Sequence, residues 1–177
     1  PHTRPPNDVD AEHMLVRTIE CIEGSSEVEV VCEPAFGYGR YRGGWAVQDD
    51  SQVATVTVAG VSLTITSSMV LGAEGDSVRS RHTLDRGDRA CVALSWSDVP
   101  APTDVDDAAA RIDATVEYWR RWLARARIPD HYLRHAVERS ALTIKGLTYL
   151  PTGATVAALT TSLPETPGGE RNWDYRY

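Results

Sequence analysis

The sequence predicts a β region followed by an α region, with antiparallel strands of a β-sandwich first and amphipathic helices after them. Apolar residues recur at every second position from about 14 to 96, which is the period of a half-buried strand. From position 105 they recur at intervals of three and four, which is the period of a helix with one buried face. A polar segment at 98–107, with Pro100 and Pro102, separates the two patterns.

The strands are identified by alternation and by the turns between them. Val61, Leu63 and Ile65 alternate with hydroxyl side chains, so this strand has one apolar face. The pair Ala59-Gly60 predicts a two-residue hairpin, and the residues Asp-Arg-Gly-Asp at 85–88 predict a second turn. The strand segments, with the last two counted as one hairpin, are 14–22, 27–33, 45–48, 53–58, 61–67 with an extension toward Leu71, and 78–84 with 89–96. Antiparallel strands with one exposed face form sandwiches, and we expect this one to be part of a larger sandwich.

Two helices follow the polar segment. Thr103, with Asp106 three residues later, predicts the start of a helix over 105–127. Asp130 predicts the N-cap of a second helix over 131–148, which the residues at 151–153 end. The apolar stripes of the two helices are Val105, Ala109, Ile112, Val116, Trp119 and Leu123, and Leu133, Val137, Ser140, Ile144 and Leu147.

Composition excludes several classes of function. The chain has 177 residues and a formal charge of −7, which argues against nucleic acid as a partner and favours a neutral or small ligand. No apolar run approaches the roughly 20 residues that cross a bilayer, so we expect no membrane association. Three cysteines without a C-x-x-C arrangement indicate a reducing, cytoplasmic location rather than a disulfide framework.

Two short patterns resemble sites but are better explained by structure. His131 and His135 have the spacing of two metal ligands on a helix, yet Tyr132 stands where the zinc-protease pattern needs Glu, and no third ligand is evident. We therefore predict no metal site. The segment 40–45, Arg-Tyr-Arg-Gly-Gly-Trp, looks like an RNA-binding tract, but one copy in an acidic chain favours a glycine-bent connection between strands.

The last 17 residues predict a shaped loop. Pro, Gly, aromatic and alternately charged residues there fit neither a helix face nor an alternating strand. Aromatic rings beside carboxylate, amide and guanidinium groups suit a sugar, which has an apolar C–H face and a rim of hydroxyls. The alternative is a connector in which Asp174 and Arg176 form an ion pair and the rings pack together.

The order of three motifs, TTSLPE, a GG pair and NWDYRY, resembles the beginning of the catalytic domain of glycoside hydrolase family 15, the glucoamylase, glucodextranase and bacterial trehalase group. The resemblance is clear from about 133 to 177, and Phe36-Gly37-Tyr38-Gly39-Arg40 adds to it in the β region. It implies a sandwich joined by a linker helix to the first helix of an (α/α)6 barrel. The implied domains are 1–97 for the β-sandwich part, 98–129 for the linker and linker helix, and 130–177 for the start of the catalytic barrel.

The resemblance also implies a function. It implies the N-terminal part of an inverting hydrolase of α-glucosides, with trehalase favoured over glucoamylase by the form of NWDYRY. Asn172, Trp173, Asp174 and Tyr175 are the implied substrate-binding residues, and Tyr175 aligns with a tyrosine that lines the cleavage subsite. Trp173 stands where some members have proline, so its role is less well defined. The family takes its general acid and base from later barrel helices, and we therefore assign no catalytic residue to this chain.

Partners and an alternative function follow. The expected partners are a small or oligomeric α-glucoside and the remainder of the catalytic domain, and a homo-oligomer is left open. No cofactor is required, although resemblance to the trehalase branch implies dependence on magnesium and phosphate. The proline-rich start, which lacks an initiator Met, predicts a piece of a longer protein. The alternative is a non-catalytic β-sandwich module that binds carbohydrate or braces a neighbouring domain.

Overall fold

The computed structural model describes residues 12–149, 152–157 and 168. Within them, eight strands precede two helices, which confirms the predicted order of β followed by α. The strands are β1 (Met14–Glu20), β2 (Ser25–Cys32), β3 (Ala46–Val47), β4 (Val53–Val58), β5 (Val61–Ser67), β6 (Gly72–Glu74), β7 (Ser77–Asp85) and β8 (Arg89–Ser95). The helices are α1 (Val105–Leu123) and α2 (Arg134–Gly146). No helix among the described residues is long and apolar enough to cross a membrane.

The strands form two antiparallel sheets that face each other. One sheet has five strands in the order β1-β8-β5-β4-β3, and the other has three in the order β2-β7-β6. A single buried cluster contains Ala54 and Ile65 of the first sheet and Val78 of the second. Since side chains of both sheets meet in one apolar layer, the predicted β-sandwich is confirmed.

The predicted turns are confirmed, but one predicted strand extension is wrong. Ala59 and Gly60 have φ angles of 51° and 81°, which suit a two-residue hairpin, and Asp88 donates to the Asp85 carbonyl at 2.8 Å in the second turn. The chain does not continue β5 toward Leu71, because the Ser67 hydroxyl accepts the Met69 backbone N–H at 3.0 Å and turns the chain. The chain then crosses to the second sheet as β6.

The chain forms two compact units, one of residues 12–116 and another that includes the described residues from 117 onward. In the first unit the polar segment before α1 packs against β5, where Thr66 donates a hydrogen bond to the buried Pro102 carbonyl at 2.6 Å. Asp104, rather than Thr103, caps α1, because its carboxylate accepts the N–H groups of Asp106 at 3.0 Å and Asp107 at 2.9 Å. The predicted domain boundaries remain predictions.

In the second unit the predicted Asp130 cap is wrong. Helix α2 begins at Arg134, and the residue before it, Leu133, makes no side-chain capping bond. The reason is a preceding turn, in which His131 Nδ1 accepts the Leu133 N–H at 3.2 Å and the His131 carbonyl accepts the Arg134 N–H at 2.8 Å. The turn occupies the residues that the sequence pattern had assigned to the first turn of the helix.

Candidate functional site

The predicted sugar-contacting residues Asn172, Trp173, Asp174 and Tyr175 lie outside the described residues, and their role remains a prediction. Before them in the sequence, the described residues include those that follow α2. After α2, Thr148 and Thr155 form an antiparallel bridge, and Tyr149 donates to the Ala154 carbonyl at 2.7 Å. The end of α2 is therefore followed by a small hairpin in the chain that leads toward the predicted loop.

A second candidate lies on the sandwich, in the connection between β2 and β3. Gly37, Tyr38 and Gly39 have φ angles of 56°, 60° and 80°, so three successive residues adopt the left-handed conformation. Tyr41 donates to the Phe36 carbonyl at 3.2 Å and closes the turn. We call residues 36–41 the left-handed turn. It holds the Tyr38 side chain 92% exposed.

Aromatic side chains at both ends of the connection pack in the core of the sandwich. Phe36 belongs to the buried core of the sandwich, and Trp45 at the other end of the connection belongs to the same cluster. A Cβ atom at Gly37 would lie 2.8 Å from the Tyr41 ring, so only glycine leaves room for that ring. The turn is therefore anchored to the core of the sandwich at Phe36, and the connection that contains it is anchored again at Trp45.

Polar groups lie beside the same connection. The Trp45 indole donates to the Asp76 carbonyl at 3.1 Å, and the Arg42 guanidinium contacts the Asp76 carboxylate at 2.7 Å. Arg42 remains 83% exposed and Asp76 33% exposed, so both can contact solvent or a ligand. The pair offers N–H donors and carboxylate acceptors without excess charge. The segment 40–45 lies in the connection between β2 and β3, as predicted, but the residues with positive φ angles are 37–39 and not Gly43 or Gly44.

A charged groove on the outer face of the three-stranded sheet is a weaker candidate for a binding site than the left-handed turn. It encloses about 330 Å³ and is lined by Glu29, Glu74, Arg79 and Arg81, among others. Arg79 contacts Glu74 at 3.0 Å, and both arginines contact Glu29 at 3.5 Å. Because these exposed charges neutralise each other, the groove has the character of an ion-paired surface.

Two groups have perturbed acidity, and neither indicates catalysis. Burial raises the pKa of the Cys32 thiol, which keeps it neutral and a poor nucleophile. The hydrogen bond with Asp107 chiefly raises the pKa of Arg111, which also contacts Glu12 at 3.0 Å and so ties α1 to the segment that precedes β1. These contacts stabilise the fold.

The histidines at the start of α2 are engaged locally. His135 is 97% exposed and contacts Glu138 at 3.5 Å, while His131 stacks on Tyr132 with ring centres 4.2 Å apart. Among residues 12–149, 152–157 and 168, no group of three or more His, Cys, Asp or Glu side chains could hold a metal ion.

Sequence reasoning overlooked the left-handed turn as a candidate site. It used Phe36-Gly37-Tyr38-Gly39-Arg40 only as part of a resemblance, although glycines on both sides of a tyrosine are a signal for a tight turn. The exposure of Tyr38 could not be read from the sequence, because it depends on the burial of Phe36 and Trp45 in a core built by distant strands.

In comparison with known proteins, the chain is similar to several proteins that share the name trehalase. The chain is 47% identical over 182 aligned residues to a protein named trehalase from Mycolicibacterium smegmatis, and 46% identical over the same length to one from Mycobacterium tuberculosis. In both cases the alignment covers 99% of this chain and 27% of the relative. A trehalase from Thermoplasma volcanium is 32% identical over 91% of this chain and 26% of the relative. No family model matches the chain, and no solved structure gives a significant match. The chain thus spans about a quarter of the length of the curated relatives it matches.

Proposed function

We infer the function of this chain from its homology: it belongs to a trehalase-like family, and we propose that it is the N-terminal part of a glycoside hydrolase that cleaves an α-glucoside, with trehalose as the favoured substrate. The observation that carries the proposal is the 47% identity to a protein named trehalase, which extends over 99% of the chain. Identity at that level over both the sandwich and the helices makes a shared fold for the whole aligned region the simplest explanation.

We place the chemistry outside this chain. Hydrolysis with inversion needs one carboxylic acid to protonate the leaving oxygen and one carboxylate to activate water, about 6.5–9.5 Å apart. None of the acids in the last part of the sequence aligns with either role in the family that the chain resembles. The chain would then supply the sandwich, the linker helix α1, and α2 as the first helix of an (α/α)6 barrel of the glycoside hydrolase family 15 type.

The contribution of this chain to substrate binding is the terminal loop. Tyr175 is expected to line the cleavage subsite, and Asn172, Trp173 and Asp174 to contact the sugar beside it. A ring at this position would contact the sugar as it flattens toward an oxocarbenium ion, so its contact should be stronger in the transition state than in the ground state. Dependence on magnesium and phosphate, a cytoplasmic location and an oligomeric assembly belong to the same proposal.

The test uses the polypeptide that extends this sequence over the length of its relatives. We expect it to release glucose from trehalose, and proton NMR of the first product should show β-glucose if the mechanism inverts the anomeric centre. The 177-residue chain alone should show no turnover of trehalose, maltose or an aryl α-glucoside. Turnover by the chain alone, abolished by Glu165→Gln or Asp174→Asn, would show that the catalytic groups were assigned to the wrong part of the protein.

A further inference from the structure

The residue at the tip of the left-handed turn, Tyr38, adopts a backbone conformation that its residue type disfavours. Tyr38 has a φ angle of 60°, a region that glycine adopts freely and that residues with a Cβ adopt at a cost. Its neighbours on both sides, Gly37 and Gly39, have similar φ angles and are glycines, the residue type that adopts this conformation without steric cost. Three other described non-glycine residues, His13, Ser51 and Ala59, also have positive φ angles, but Tyr38 is the one of the four with a large exposed side chain.

Packing does not explain why a tyrosine occupies this position. The Tyr38 side chain is 92% exposed, and it forms no hydrogen bond or ring contact with any other described residue. Non-glycine residues in strained conformations cluster at ligand-binding and active sites, where the surrounding structure holds them in place. Here Phe36 and Trp45 belong to the buried core, and the Tyr41 ring lies beside Gly37. The Tyr38 ring is instead exposed to solvent.

We propose that Tyr38 is the contact residue of a carbohydrate-binding site on the sandwich, with its ring stacked on the apolar face of an α-linked glucose unit. An aromatic side chain has only two rotatable torsions, so an exposed tyrosine offers contact area at a modest loss of side-chain freedom on binding. Arg42, four residues further along the same connection, and its ion-pair partner Asp76 would offer donors and acceptors to ring hydroxyls. Because the charges of that pair offset each other, the site suits a neutral ligand. This site involves none of the residues 172–175.

The binding test uses the ¹⁵N-labelled 177-residue chain titrated with maltotriose and, separately, trehalose. We expect saturable shifts of the backbone amide signals in the left-handed turn, with a Kd in the millimolar range. Tyr38→Phe keeps the ring and should bind within about threefold of the native chain, whereas Tyr38→Gly should bind at least about tenfold more weakly. Tyr132→Ala, which removes another tyrosine that is 85% exposed, is the matched control and should leave the affinity unchanged.

Melting temperature separates a binding role from a structural one. Tyr38→Gly removes the ring but relieves the strained conformation, so we expect its melting temperature to equal or exceed that of the native chain while affinity falls. Absence of shifts with both sugars, or equal binding by Tyr38→Gly, would overturn the proposal. A lower melting temperature for Tyr38→Gly would also overturn the proposal, because it would show that the ring stabilises the fold by packing. This holds whether the decrease is seen in this chain or only in the longer polypeptide. Trehalose hydrolysis by the longer polypeptide tests the proposed function separately.

Discussion

Two buried serines provide a sharp test of the structure, because their hydroxyls differ in hydrogen bonding. Ser80 on β7 is 4% exposed, and its hydroxyl forms no hydrogen bond within the described part of the chain. Ser67 at the end of β5 is fully buried, but its hydroxyl donates to the Cys91 carbonyl at 2.8 Å and accepts the Met69 N–H at 3.0 Å. We predict that Ser80→Ala raises stability and that Ser67→Ala lowers it.

The magnitudes follow from what each change leaves behind. An unpaired buried hydroxyl costs about 1–3 kcal/mol of desolvation, so removing it at Ser80 should stabilise the fold by about 1 kcal/mol after the lost packing is counted. At Ser67 the Cys91 carbonyl keeps a second donor, the Ser68 N–H at 3.2 Å, but the buried Met69 N–H is left without its partner. That change should cost about 1–3 kcal/mol.

Urea unfolding followed by tryptophan fluorescence measures both changes. With an m value of about 1–3 kcal/mol per M for a small domain such as residues 12–116, about 1 kcal/mol corresponds to a shift of roughly 0.3–1 M in the urea midpoint, and the two variants should shift in opposite directions. If Ser80→Ala destabilises the protein as much as Ser67→Ala does, the Ser80 hydroxyl has a partner in solution and the described core is wrong at that position.

Three further predictions test other parts of the account. Asp104→Ala should cost about 1 kcal/mol by removing the cap of α1, while Thr103→Ala, at the neighbouring position, should change unfolding by urea by less than about 0.5 kcal/mol; equal effects would reject the cap. Gly43→Ala should cost about 1–3 kcal/mol in the same assay, because its Cβ would overlap the Cγ2 methyl of Val58, and an unchanged urea midpoint would show that the loop yields. In the longer polypeptide, Tyr175→Ala should lower kcat more than it raises KM, by a factor of about 10–1000, with little change in melting temperature; a normal kcat with a collapsed melting temperature would make Tyr175 a packing residue.

The sequence predicts the sandwich well where strands alternate regularly. In β5, Leu63 and Ile65 face the core while Thr66 faces the segment before α1, because a period of two separates the faces. The three-residue strand β6 carries no such period, and the sequence analysis predicted no strand over its residues 72–74. Its place in the second sheet depends on the turn made by the Ser67 hydroxyl, which is a tertiary detail.

The residues that cap the helices could not be predicted from the sequence either. Thr103 and Asp104 are adjacent, and both residue types cap helices, so composition alone does not choose between them. The buried Pro102 carbonyl, held by Thr66, fixes where the chain enters α1 and selects Asp104. Before α2, the turn formed by His131 displaces the helix start, and a local hydrogen bond to a histidine ring has no periodic signature.

The candidate sites were predictable to different degrees. The terminal loop is a prediction from composition, since its residues fit neither a helix nor a strand pattern, and the role of residues 172–175 remains to be tested. The left-handed turn is visible only as a glycine pattern. The conformation of Tyr38 and its exposure arise from anchors at Phe36 and Trp45, which the sequence does not pair with it.

The most direct test of the central claim is proton NMR of trehalose incubated with the polypeptide that extends this sequence over the length of its relatives. If the chain is part of a trehalase, trehalose is cleaved to two molecules of glucose, and β-glucose accumulates before mutarotation because one ring is inverted. Persistence of intact trehalose, under conditions in which circular dichroism shows the polypeptide to be folded, would contradict the proposed function.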